Sequence, residues 1–417
     1  MTNPCTEPNA APLVLVDAFS TGALLAQALA TRRPLLHVRS RDDMPAAFAA
    51  SCPRHLFAAH YTLADGGVQP LIARLAAHAP AAVLTGSEFG VELADRLAAG
   101  LGLLGNDPAL STARRDKALM AERVAAAGLP VAGQLRTESA AEALAWFAAR
   151  QGARVVVKPL DSAGSDNVFI CQDAAQVKAA VERILGATNL MMRANSAVLL
   201  QDYLEGDEYV INSVSHAGRH WISDVWKCRK TLSADGRKIY DYEDLQPADA
   251  AELPALLDYA EGVLDALGIA YGPAHTELIL TAAGPRLLET GARLSGLANP
   301  DALQAATGND QVALTCACYL DPPRLEATPR RYRVLRQARC LNLIAHRGGA
   351  FPRAAVSARL ESLESFQSAR FRLAEGAAGV PTVDLNSSPG AVFLVHPDPT
   401  RIAADYRAYR DWEAATL

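Results

Sequence analysis

Short apolar runs alternate with alanine-rich helical stretches through the first part of the chain. LVLV, residues 13–16, ends at Asp17 and passes through Phe19-Ser20-Thr21-Gly22 into a helical pattern, which predicts a strand followed by a helix. AAVLTGSEFG, residues 81–90, leads into the helix-like VELADRLAA and repeats the unit. These βα units predict an open α/β layer, in which ligands collect at the carboxyl ends of the strands. STARRDKALMAERVAAAGLPV then carries a helical period that Gly128 and Pro130 close. Helical patterns at 138–150 and 173–186 surround the strand RVVVKPL at 154–160. Strand patterns AVLLQDYL and EYVINSVSHAGRHWISDVW occupy 197–226, and a long helix pattern lies near 252–267. Further on, ARCLNLIAH and AVFLVH read as strands and RIAADYRAYRDWEAA as a terminal helix.

Between these lies HTELILTAAGPRLLET, residues 275–290, two alternating runs around a turn. Each run carries one carboxylate, Glu277 and Glu289. A turn centred on Ala283 would set the two opposite one another on one sheet face, with Cβ atoms about 5 Å apart, where like charges destabilise the sheet. A divalent cation, a shared proton or nearby basic groups would have to offset the repulsion. Solvated acids on an edge hairpin are the plainer alternative.

Composition narrows the field. At roughly 100–200 residues per domain, 417 residues predict two to four domains with a sizeable core. Half of the residues are hydrophobic, which marks a globular chain. Forty basic against 45 acidic residues give a net charge of −5, which argues against nucleic acid as a partner. MTNPCTEPNAAP lacks the pattern of a signal peptide and no run of about 20 apolar residues is present, so a soluble, cytoplasmic protein with no membrane partner is expected. Seven scattered cysteines without ligand spacing read as reduced, mostly buried thiols. GLGLLG, residues 100–105, matches GxGxxG but follows a helix, which favours a helix end and turn over a nicotinamide site. P-loop, HExxH and GxSxG motifs are absent.

Three further segments carry chemistry. Lys158 ends the run RVVVK, and the small loop DSAGSDNV follows it; an ammonium beside a Gly/Ser turn suits a phosphate. Lys117 lies in RRDKALM. QDYLEGDEY, residues 201–209, ends an apolar strand and places Glu208 seven residues after Gln201. Singly, each also reads as an ordinary surface feature.

In this order the segments resemble the ATP-grasp superfamily of carboxylate–amine ligases over roughly residues 80–300. The resemblance implies that Lys117, Lys158, Gly164 and Ser165 hold the nucleotide phosphates. It implies that Gln201, Asp202, Tyr203 and Leu204 form the adenine hinge, with Glu208 on the ribose. Glu277 and Glu289 would hold Mg²⁺, with Mn²⁺ as an alternative ion. Many relatives carry an asparagine two residues after the second carboxylate, where this chain has Gly291. With HTE, ETxARxSG and the VDAFSTG start, the chain is more similar to the bacterial L-amino-acid ligases, the bacilysin- and dapdiamide-forming type. The fold class implied is α/β (α+β), an ATP-grasp fold preceded by an open Rossmann-like domain. Its expected divisions are 1–110 for the N-terminal domain, 111–200 for the small ATP-grasp subdomain, 201–325 for the large subdomain with the metal and substrate site, and 326–417 for a C-terminal α+β subdomain.

The implied reaction is phosphorylation of one amino acid's carboxylate by ATP and attack by the amine of another, giving a dipeptide, ADP and phosphate, as in antibiotic biosynthesis. Arg293 would serve the developing oxyanion or the substrate carboxylate. His275, Thr276, Arg293, Leu294, Ser295, Gly296 and Leu297 would line the amino-acid pocket. Tyr240, Tyr242 and Glu243, in KIYDYEDLQP, are candidates to take the amine's proton by position alone, with a plain surface loop as the equal alternative. The partners implied are small amino-acid substrates, with a homodimer compatible. Three alternatives stay open here: a ligase for another carboxylate–amine pair in purine, cofactor or carboxylase chemistry, a nucleotide-binding module without catalysis, and a nicotinamide enzyme.

Overall fold

A computed structural model describes residues 10–232 and 238–417. Its first sheet is parallel, with β1 (Leu13–Val16), β2 (Leu35–Arg39), β3 (Ala59–Thr62) and β4 (Ala82–Thr85) in the order β3-β2-β1-β4. The chain leaves β1 toward β2 on one side and reaches β4 on the other, so the switch point of the sheet lies between β1 and β4. The loops that leave those two strands pack closely: a Cβ on Gly22 would stand 2.2 Å from the carbonyl oxygen of Gly86.

The second sheet is small and antiparallel, with β5 (Gln134–Thr137), β6 (Val155–Pro159), β7 (Phe169–Cys171) and β8 (Val198–Asp202) in the order β5-β8-β6-β7. Helices Ala140–Ala148 and Ala174–Ile184 cover it and close a core around Val155, Val157, Val181 and Leu200. The helix before this sheet, expected to run from Ser111, begins at Lys117. The Asp116 carboxylate accepts from the amides of Ala118 and Leu119 and caps it, leaving Thr112–Arg114 as a separate 3₁₀ turn.

The third sheet joins β9 (Asp207–His216), β10 (Arg219–Leu232), β11 (Lys238–Leu245), β12 (Gly272–Thr281), β13 (Gly284–Gly291) and β14 (Gln337–Asn342). β15 (Gly349–Ala350) pairs apart from it with β17 (Ala378–Gly379), whereas β16 (Phe366–Phe371) and β18 (Gly390–His396) complete it in the order β13-β12-β9-β10-β11-β14-β18-β16. Helix Leu253–Ala266 packs on it through Leu256, Leu257, Val263 and Leu264. The expected division at residue 325 falls inside helix Pro322–Ala327, and this sheet runs across it.

Among the described residues no helix is long and apolar enough to cross a membrane. Cys171, Cys228, Cys316, Cys318 and Cys340 are buried free thiols and Cys52 is half-buried; Cys5 lies outside the described residues. GLGLLG closes the helix Val91–Gly100 and turns at Gly102, where φ is +67°.

Candidate active site

β12 and β13 pair with Glu277 directly opposite Glu289. The route to that pairing differs from the expected one. A two-residue turn, Ala282–Ala283, sets Thr281 against Gly284, and the ladder would bring Leu288 opposite Glu277 were it regular. A bulge between Glu277 and Leu278 absorbs one residue and brings Glu289 into place.

Basic groups offset the repulsion. Lys117, the first residue of its capped helix, reaches Glu289 at 2.6 Å and donates to the Ser162 carbonyl at 2.8 Å, tying the loop after β6 to the hairpin. Burial would push the Glu289 carboxyl up, but Lys117 and Lys158 hold it below the usual carboxylate range. Lys158 is buried, and among the described residues it has no hydrogen bond or ion pair. Burial and the charge of Lys117 draw its pKa down to about 8, against the pull of Glu289 and Glu277. A buried ammonium without a partner is a seat for an anion.

On the other side of Glu277, a chain of buried polar groups fixes His275. Its Nδ1 lies 2.9 Å from Asn212 Oδ1 and its Nε2 3.1 Å from Glu277 Oε1. Asn212 Nδ2 donates to Asp224 at 2.5 Å, which turns the Asn212 oxygen toward the imidazole and makes Nδ1 the donor. Asp224 accepts also from Ser223 and Trp226, while burial raises its pKa.

Arg293 donates from Nε to Glu88 Oε2 at 2.6 Å, and Arg115 grips the other oxygen of the same carboxylate. Burial alone would raise the Glu88 pKa, yet the two guanidiniums hold it at about 2. Glu88 follows β4 at the carboxyl end of the first sheet, so it docks the N-terminal layer on the hairpin. It also accounts for Gly291: a Cβ there would stand 2.7 Å from Glu88 Oε2 and 3.3 Å from Arg293 Nε. Sequence reading missed Glu88 and Arg115, although AAVLTGSEFG displays the carboxylate just past a strand end, where such a sheet gathers ligands.

The remaining expected residues separate into groups. Gly164 and Ser165 lie in the loop after β6 with φ of +65° and +63°, and Asn386 donates to the Gly164 carbonyl at 3.2 Å. Gln201 is buried at the end of β8 with its amide 3.3 Å from Gln134 Oε1, Asp202 takes Arg150 at 2.6 Å, and Arg154 stacks on Tyr203. Leu204 follows in the connection to β9, where Glu208 meets Lys230 at 2.6 Å and the Tyr240 hydroxyl. Glu208 and Glu277 share a face of the third sheet, because Ile279 pairs with Glu208 and Glu277 with Val210.

Thr276 is turned to the opposite face, where its hydroxyl meets that of Thr290 at 2.7 Å and is buried. Leu294 is packed into the core of the first sheet with Leu13, Leu15 and Val312. The Ser295 amide is held by Gln311, Gly296 is exposed, and Leu297 is half-buried against the main core. Of the proton acceptors suggested by position, Tyr240 donates to Glu208 and Tyr242 packs against Tyr406 and Arg339. Glu243 is buried with its pKa pushed up to about 8 by burial and by Glu208 and Glu277.

Two lysines and a pair of opposed carboxylates, set between an antiparallel small sheet and a large one, define the ATP-grasp class, and the sequence pattern of the ATP-grasp domain matches residues 151–301. Over 408 residues the chain is 31% identical to dapdiamide A synthase of Enterobacter agglomerans, covering 96% of each, and it belongs with that enzyme to the ATP-grasp carboxylate–amine ligases. The L-amino acid ligase of Bacillus licheniformis shares the fold at a TM-score of 0.74 and 17% identity, over 96% of this chain and 97% of that one. The N5-carboxyaminoimidazole synthase of Aspergillus clavatus, solved with ADP and 5-aminoimidazole ribonucleotide, aligns at 0.71 and 14% identity over 98% and 99%.

Proposed function

We propose that the chain joins the carboxylate of one amino acid to the amine of another, with ATP as co-substrate and ADP and phosphate as by-products, in the making of a specialised metabolite. The observation that carries the reading is the convergence of Lys117 and Lys158 on Glu289 opposite Glu277. A dissociative phosphoryl transfer needs little beyond positioned cations around the phosphates, and this arrangement supplies them.

The donor set also fits a hard divalent cation. Glu277 and Glu289 offer oxygen ligands side by side, and among the described residues no third His, Cys, Asp or Glu completes a closed cage, so the remaining positions are left to phosphate and water oxygens. Mg²⁺ held there would neutralise phosphate charge. Lys158 would take a phosphate oxygen directly, and Lys117 would leave or share Glu289 as the nucleotide enters. Gln201 to Leu204 and Glu208 would hold the adenosine, with Gly164 and Ser165 over the phosphates.

A donor carboxylate oxygen attacks the γ-phosphorus and ADP leaves. The amine nitrogen of the acceptor then attacks the acyl carbon, the bond to the phosphate oxygen breaks, and the nitrogen gives up a proton. Arg293, oriented by Glu88, would face the oxygen that gathers charge in this second step. No protein nucleophile is required. A matrix of amino-acid pairs, scored for phosphate release and for product mass, tests the reading. ADP, phosphate and a condensed product are expected; AMP and pyrophosphate, or phosphate release without condensation for every pair, would overturn it.

A further inference from the structure

The strand pairings carry one face of the third sheet from the hairpin to its far edge. Glu289 lies opposite Glu277, Glu277 opposite Val210, and Val210 opposite Trp226. From Glu243 on β11 the same face continues through Cys340 and Phe393 to Ser368, and Arg370 lies two residues further along β16. The lysines and arginines near the hairpin are engaged or reserved: Lys117 on Glu289, Arg115 and Arg293 on Glu88, Lys158 buried beside the carboxylates. Lys230, on the same face, is held by Glu208. Arg370 is half-buried and, among the described residues, has no hydrogen bond, ion pair or ring contact.

Its surroundings tie it to the substrate loop. Asn299 Nδ2 donates to Ser368 Oγ at 2.8 Å, and Asn299 closes the segment that begins at Arg293 and caps the helix Pro300–Thr307. On the other side, Arg372 holds the carbonyls of Leu385 and Ser388, bracing the loop whose Asn386 touches Gly164 above the phosphate lysines. Arg370 therefore lies on the edge strand between Ser368, which meets the substrate loop, and Arg372, which braces the loop that meets Gly164.

The chemistry of the proposed reaction leaves one charge without a home. The donor's carboxylate is consumed, but the acceptor keeps its own carboxylate throughout, and it becomes the C-terminal carboxylate of the product. This anion has to be held away from the phosphates, or it would compete for phosphorylation. We infer that Arg370 clamps the α-carboxylate of the acceptor amino acid, an inference that rests on the ligase reading. A planar guanidinium suits a carboxylate bidentately. Burial draws the pKa of Arg370 down against the pull of Cys340 and Asp301, and an incoming carboxylate would add to that pull.

The test compares each neutral L-amino acid with its C-terminal amide as acceptor, using the best donor from the pair matrix, in wild type, Arg370→Gln and Arg370→Lys. Wild type should prefer the free acid, and Arg370→Gln should raise the acceptor's KM about tenfold or more while leaving the KM for ATP and donor unchanged. In that variant the preference for acid over amide should vanish, and Arg370→Lys should restore part of it. Melting curves establish that the variants are folded, and Arg370→Lys keeps the charge should Arg370→Gln not fold. A preference that survives in Arg370→Gln, or a KM that rises equally for acid and amide, overturns the clamp and leaves the ligase intact. A wild type that condenses no pair brings down both.

Discussion

Glu243 shows how one buried group sets a pH dependence. Its folded pKa of about 8 lies above the ordinary carboxyl value of 4.5. Below about 4.5 the folded and unfolded chains both hold the proton. Between there and about 8 the unfolded chain releases it first, so the folded chain loses stability as pH rises through this window. Glu243→Gln keeps the shape without the proton. It should melt with wild type near pH 5 and above it near pH 8, and equal melting at both would show that Glu243 ionises freely. Glu289 behaves differently. Its repulsion with Glu277 is balanced by Lys117 at 2.6 Å, so Glu289→Gln should bring the apo protein no gain in stability, since it leaves two neighbouring ammonium groups. Turnover should fall about 100-fold, and the rise in melting temperature given by Mg-ATP should disappear. A variant that stays active and still gains stability from Mg-ATP would remove Glu289 from the site.

At the scale of the element, the hairpin separates what a sequence displays from what it hides. Alternation put both carboxylates on strands and the turn near Ala283, but the facing of Glu277 and Glu289 expected from a turn centred there is reached only because a bulge makes up for a shorter turn. The bulge could not be read from it, because a one-residue offset arises from twist and packing that no local pattern records. Alternation also carried a warning that His275 and Thr276, being adjacent on a strand, face opposite ways. Thr276→Val should therefore cost about 1 kcal/mol of stability through the lost hydroxyl pair with Thr290, while KM and kcat stay as they were. A denaturant titration beside one kinetic run decides it, and a shift in substrate KM would put Thr276 in the pocket. Lys158 was legible as a strand end. Its burial was not, since burial depends on the docking of three sheets.

For the whole molecule, two arginines fasten the N-terminal layer to loops of the small sheet. Arg193 reaches Glu92 at 2.7 Å and Asp161 at 3.0 Å, and Arg41 donates to the carbonyls of Met191 and Met192. These contacts are partly exposed, so each contributes modestly. Arg193→Ala should raise the KM for ATP about fivefold, and added salt should narrow the gap to wild type. A salt-independent defect would argue against a fastening by charge. The Glu88–Arg293 contact joins that layer to the hairpin of the third sheet, with both partners largely buried, and Gly291 leaves room for it. Position 291 and position 88 therefore contend for one volume. Gly291→Asn alone should push Glu88 off both arginines and loosen the layer. In a chain that already carries Glu88→Ala, the same asparagine should do far less harm, because the space it claims has been vacated. Descendants of such a scaffold would then exchange the two residues together, and a lineage that acquires a side chain at 291 would have to give up its carboxylate at 88.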